Sequence, residues 1–303
     1  MQRRVSAILM MSLILFLIFA PHAYSRSSGA AIPVPYALAD GTRLTSFLSL
    51  PAGYQEGKKY PGILLIHGGR GDGKGALERA DVFLQTGPVK EHLRPNYVVF
   101  SAAYHTDYFG GPKEIESMAA ALKAMASLPQ VDQGRIAALG VSHGGYLALM
   151  CAVHPQIPKM IKTAVSISGV VDVAAFLLYR YRPTLKGMTD TGYQPPGLAA
   201  SPAVRALGWP PDKDARTREN YGRLSVISYL GNLQVPILVA HGAKDNIVPV
   251  SQARSLKEAL EEQKKTFEYL EVPTGKSGGH FIFLSSKEMW ERIDLFLKKY
   301  LYL

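Results

Sequence analysis

The sequence predicts an α/β fold, a mostly parallel and doubly wound sheet. Three observations carry that expectation. Short, predominantly apolar runs recur at 62–66 (GILLI), 97–100 (YVVF), 136–141 (IAALGV), 163–167 (TAVSI) and 236–240 (PILVA). Runs of this length suit strands buried on both faces, as parallel strands are. Stretches of helical period lie among them, and strand and helix alternate from residue 26 onward.

Taken in order, residues 26–45 read as a leader into a first edge strand, and 47–50 could continue it. GILLI is bounded by Pro61 and by His67-Gly68-Gly69. Residues 114–128 are alanine-rich and polar on one side, as a surface helix is. A helix over 146–153 follows the third apolar run. Residues 251–263 place Ala253, Leu256 and Leu260 on one stripe, with Glu258, Glu261 and Glu262 outside it. The last helix, 289–301, groups Trp290, Ile293, Leu297 and Leu301. Residues 179–223 break the rhythm with Pro183, Pro195, Pro196, Pro202, Pro210 and Pro211 and many basic side chains. A stretch this long without a strand pattern reads as a cap-like insertion over a site, and its tyrosines and arginines as a solvated surface.

Composition narrows the function. With 47% hydrophobic and 19% charged residues in 303, disorder is excluded as the main state. The single cysteine, Cys151, rules out an internal disulfide and a cysteine-rich zinc site, and reads as a small buried residue. His92, His105 and His154 show no ligand spacing, so no metal is expected. The net charge of +10 is scattered, with no basic run and no nucleic-acid module. Residues 1–25 read as a signal peptide. Arg3 and Arg4 precede the apolar stretch 8–20, and Ala23-Tyr24-Ser25 offers small residues for cleavage. The mature chain is then 26–303, secreted or periplasmic, with no stable membrane insertion; an uncleaved anchor is the alternative.

The sharpest chemical signal is Gly140-Val141-Ser142-His143-Gly144-Gly145, where the third apolar run meets a helix. Glycines flanking the serine allow a tight strand-to-helix turn that points the hydroxyl out of the sheet. A serine needs a base, and the base an orienting carboxylate; with this turn the chain order is Ser, Asp/Glu, His. Asp245 follows the fifth run in His241-Gly242-Ala243-Lys244-Asp245, and an Asx-turn is its plainer reading. His280, in Gly278-Gly279-His280, is the only histidine downstream of Asp245. His241 reads as a structural strand-end residue. The turn after GILLI, with the N–H of His143, would supply an oxyanion hole; Gly69 and Arg70 are the candidates. Residues 68–74 (GGRGDGK) also match the start of a phosphate-binding loop. Gly75 stands where that motif needs Ser or Thr, so the nucleotide reading fails.

Together, ILLIHGGRG (63–71), VDQGRIAALGVSHGGYLAL (131–149), VPILVAHGAKDNIVP (235–249) and GGHFIF (278–283) resemble the α/β-hydrolase superfamily. The resemblance is to the branch holding the prolyl oligopeptidase catalytic domain and the dienelactone-hydrolase-like esterases. It implies an α/β-hydrolase fold and a catalytic set of Ser142, Asp245 and His280. It implies no cofactor. The oligopeptidases carry a large N-terminal β-propeller, for which this chain has no room, and typical dienelactone hydrolases use cysteine where Ser142 stands. The expected function is hydrolysis of a small carboxylic ester through an acyl-enzyme. The alternatives are a peptidase acting on short peptides and a non-catalytic binding protein of the same fold. The oligomeric state is left open.

Overall fold

The computed structural model describes residues 31–69, 76–105, 111–185, 207–273 and 279–302. The expected signal peptide, Arg70, most of the GGRGDGK stretch and the centre of the 179–223 insertion lie outside these residues.

Eight strands form one sheet: β1 (Ile32–Ala37), β2 (Arg43–Ser49), β3 (Tyr60–Ile66), β4 (Val98–Ser101), β5 (Val131–Val141), β6 (Thr163–Ile167), β7 (Ile237–Gly242) and β8 (Phe267–Val272). Their spatial order is β1-β2-β4-β3-β5-β6-β7-β8. β2 pairs antiparallel with both β1 and β4, and every other pairing is parallel.

The described helices are α1 (Ala76–Leu84), α2 (Pro112–Ala126), α3 (His143–Val153), α4 (Val173–Leu185), α5 (Ala215–Gly222), α6 (Ser251–Glu262), α7 (Ile282–Ser285) and α8 (Lys287–Leu301). The central strands explain why the apolar runs are continuous. In β3, Leu64 and Ile66 join the cluster built with Met118, Leu122, Tyr146, Leu147 and Leu256. Ile63 and Leu65 point the other way, into the cluster with Phe83, Leu84, Ile293, Phe296 and Leu297. Successive strand residues face opposite sides. A strand covered by α2, α3 and α6 on one face and by α1 and α8 on the other therefore has few polar positions.

Four expectations change. The single edge strand over 26–45 is a hairpin, with Ile32 opposite Leu48 and Ala37 opposite Arg43. β8 was not foreseen, because FEYLEV mixes acids with apolar residues, as suits a half-buried strand paired on one side only. α1 was not foreseen either, although Ala80, Phe83 and Leu84 supply its buried stripe. The end of the insertion is body, not solvated surface. Tyr221 is fully buried and donates to the Gly208 carbonyl at 2.8 Å, and Leu207 and Trp209 pack against the core.

The junction of β3, β5 and α3 is the tightest contact near the site. A Cβ on Gly144 would lie 2.1 Å from the Ile66 carbonyl oxygen, and one on Gly140 would lie 2.0 Å from that of Gly144. Both obstacles are backbone, which cannot rotate away. Gly140→Ala and Gly144→Ala should each cost about 1–3 kcal/mol or more, read as a lower urea midpoint. Gly231→Ala, with nothing within 4 Å of the added carbon, is the control and should change stability little.

Candidate active site

Ser142 sits between the end of β5 and the first residue of α3, with φ 57° and ψ −121°. Side chains rarely adopt this conformation, and holding one there costs about 1–3 kcal/mol. Two hydrogen bonds clamp it. Its N–H donates to the Ile167 carbonyl at 2.8 Å, and its carbonyl accepts the first helical bond of α3, from Tyr146 N–H, at 3.1 Å. The side chain is thereby turned out of the strand toward the loops that follow β7 and β8.

Those loops bring the other two residues. His280 Nε2 lies 3.0 Å from Ser142 Oγ, and His280 Nδ1 lies 2.7 Å from Asp245 Oδ2. The three are distant in sequence and meet at the carboxyl end of the sheet. A carboxylate only accepts, so Nδ1 carries the proton and Nε2 presents its lone pair to the hydroxyl. His280 and Asp245 are buried, while Ser142 is partly exposed.

Asp245 is fixed from both sides. Its Oδ1 accepts from the N–H groups of Ile247 and Val248, each at 2.9 Å. Its Oδ2 also lies 3.3 Å from His241 Nε2. That nitrogen is 3.0 Å from the Val248 carbonyl, so it too carries a proton. His241 is thus a second donor to the carboxylate, beyond the structural strand-end role read from sequence. Burial alone would raise the Asp245 pKa. The hydrogen bonds from His241 and His280, the charge at His280 and the Val248 N–H outweigh it and hold the carboxyl well below the usual carboxylate range.

The oxyanion candidates are split. His143 opens α3, whose first N–H groups have no intrahelical acceptor. Gly69 lies against it, since a Cβ there would sit 3.2 Å from the His143 side chain. Arg70 lies outside the described residues. The His143 ring itself is turned away to Glu114, 3.1 Å from its carboxylate. Glu114, at the start of the helix read as polar on one side, is fully buried. Tyr104, stacked 4.6 Å from His67, donates to the His67 carbonyl at 2.8 Å and so braces the same loop. Burial raises the Tyr104 pKa well above its ordinary value and keeps it a neutral donor. Neither Glu114 nor Tyr104 carried a sequence signal, since each acts only through long-range packing. Cys151 is buried as expected, its thiol pushed up to about 12 by burial.

A model of the prolyl oligopeptidase family matches residues 105–302. The chain belongs to that family. The matched region contains Ser142, Asp245 and His280. Two Bacillus subtilis relatives are each 25% identical. The uncharacterized peptidase YuxL aligns over 82% of this chain and 36% of its own length, and the uncharacterized peptidase YtmA over 76% and 80%. The chain thus spans about a third of YuxL. Among solved structures, Pyrococcus horikoshii acylaminoacyl peptidase superposes with a TM-score of 0.64 at 18% identity, covering 90% of this chain and 42% of that one. A Thermogutta terrifontis esterase superposes with 0.61 at 18% identity, covering 91% and 96%. Both share this fold: an α/β-hydrolase sheet with flanking helices.

The depressed Asp245 pKa sets a sign. A carboxyl whose folded pKa lies below its unfolded value stabilises the fold above the unfolded pKa, and that contribution fades as pH falls toward the folded one. The stability advantage of the wild type over Asp245→Asn should therefore be largest near neutrality. It should shrink as pH drops below about 4, measured by urea unfolding across the acid range. A constant advantage would contradict it.

Proposed function

We propose that this protein is a serine hydrolase that cleaves small carboxylic esters through an acyl-enzyme. The observation that carries the reading is His280 bridging Ser142 and Asp245 at 3.0 and 2.7 Å. Ser142 Oγ attacks the substrate carbonyl as its proton passes to His280 Nε2. Asp245 stabilises the resulting imidazolium. The N–H groups of His143 and Gly69 hold the developing oxyanion. His280 then returns the proton to the departing alcohol, and water repeats the sequence to release the acid. Family membership supports hydrolysis of an acyl bond. The ester preference is supported by the likeness to the Thermogutta esterase, 96% of whose chain is covered.

The competing substrate is a short peptide, favoured by the peptidase names of the two Bacillus relatives. Export is part of the proposal and rests on Arg3, Arg4 and the apolar stretch 8–20. Among the described residues no helix is long and apolar enough to cross a membrane.

Matched para-nitrophenyl esters and dipeptide anilides, assayed side by side, separate the two substrates: a higher kcat/KM on the anilides reverses the order. Ser142→Ala and His280→Ala should each lower kcat by about 10⁴–10⁶, and the double variant little further, because the two act as one unit. Full additivity of the losses would contradict that.

A further inference from the structure

The cavity beside Ser142, about 590 Å³, is lined by apolar side chains and a permanent positive charge. The apolar lining is Val82 and Phe83 on α1, with Phe281 and Phe283 after the histidine. Val82 and Phe281 are 67% and 47% exposed, so water lies against large apolar side chains where a ligand would cover them. Arg79 lines the same cavity from the same helix face, three and four residues before Val82 and Phe83.

Arg79 has little to hold it. Its Nη1 donates to the Gly68 carbonyl at 3.3 Å, a long bond that uses one of five guanidinium donors. Among the described residues no carboxylate comes within ion-pair distance of it. Asp245 is engaged by His241 and His280, and Glu114 by His143. Gly68 in turn adjoins the nucleophile, since a Cβ on it would lie 3.4 Å from Ser142 Cβ. The guanidinium is therefore one residue removed from the reacting hydroxyl, at the edge of an apolar slot.

We propose that Arg79 binds a carboxylate of the substrate, so that the preferred esters are anionic, with an apolar segment against Val82, Phe83 and Phe281. The proposal rests on the serine hydrolase reading. Guanidinium forks match carboxylates with two parallel hydrogen bonds, and the cavity holds no other positive side chain among its described lining residues apart from titratable histidines. The carboxylate sits either on the acyl group or on the departing alcohol, and the same guanidinium serves both.

Two matched pairs distinguish these sources. para-Nitrophenyl hemiadipate against para-nitrophenyl hexanoate places the charge on the acyl side. para-Carboxyphenyl butyrate against para-carbamoylphenyl butyrate places it on the leaving side. In at least one pair the anionic-to-neutral ratio of kcat/KM should fall by about tenfold or more from wild type to Arg79→Met, the loss of a charge-assisted hydrogen bond. The wild-type ratio should also drop with added salt. If Arg79→Met slows both members of both pairs equally, Arg79 only props the Gly68 turn and the proposal is overturned.

Binding to the Ser142→Ala protein separates this from the catalytic reading. By calorimetry, phenylbutyrate should bind about tenfold tighter than phenylbutyramide, and Arg79→Met added to Ser142→Ala should erase the difference. Equal affinities overturn the proposal even if esters are cleaved. Failure of the wild type to cleave any of the esters sinks the ester-hydrolase reading whatever the calorimetry shows.

Discussion

The backbone of Ser142 is held at φ 57° by packing that leaves it no alternative. β3 and α3 approach so closely at Gly144 that only a missing side chain lets Ile66 and His67 pass. The hydrogen bond from Ser142 N–H to Ile167 ties the same residue into the β5–β6 ladder. Strand and helix are thus locked on either side of one residue, and the conformational cost is spread over two hydrophobic clusters. The consequence is directional. The hydroxyl leaves the sheet at its carboxyl end, and the loops after β7 and β8 are the segments within reach. Asp245 and His280 occupy those two loops, so the site follows from the winding of the sheet.

The second constraint is electrostatic. A buried carboxylate is unfavourable unless hydrogen bonds replace its lost water. Asp245 receives two backbone N–H groups on one oxygen and two imidazole N–H groups on the other. That fourfold satisfaction keeps it charged and stationary. A charged, stationary carboxylate fixes the tautomer of His280, and this decides which ring nitrogen faces Ser142. His241 belongs to this arrangement although it never approaches the serine: its contacts run to Asp245 and Val248.

What was legible in the sequence follows from the same physics. The central strands announce themselves because two-sided burial leaves few polar residues, and β6 falls where the mostly apolar run TAVSI lies. Ser142, Asp245 and His280 are legible through the glycines around them and through their order along the chain. β8 and the β1–β2 hairpin are not, because edge strands tolerate alternating and charged residues. Glu114 was hidden for a different reason. Helical periodicity assigns a glutamate to the solvent face, and only the tertiary position of His143 makes its burial tolerable. Arg79 carries no local mark at all: its place in the cavity depends on how α1 lies across the turn after β3. The proline content of residues 179–223 conceals that Tyr221 and Trp209 return to the core.

The central claim is that His280 activates Ser142 as the nucleophile. Treating the folded protein with a fluorophosphonate and mapping the adduct by peptide mass spectrometry tests it directly. One phosphonyl group on Ser142, with labelling at least about a hundredfold slower in His280→Ala, is the predicted result. An unmodified Ser142 in folded protein, or labelling indifferent to His280, would contradict the account.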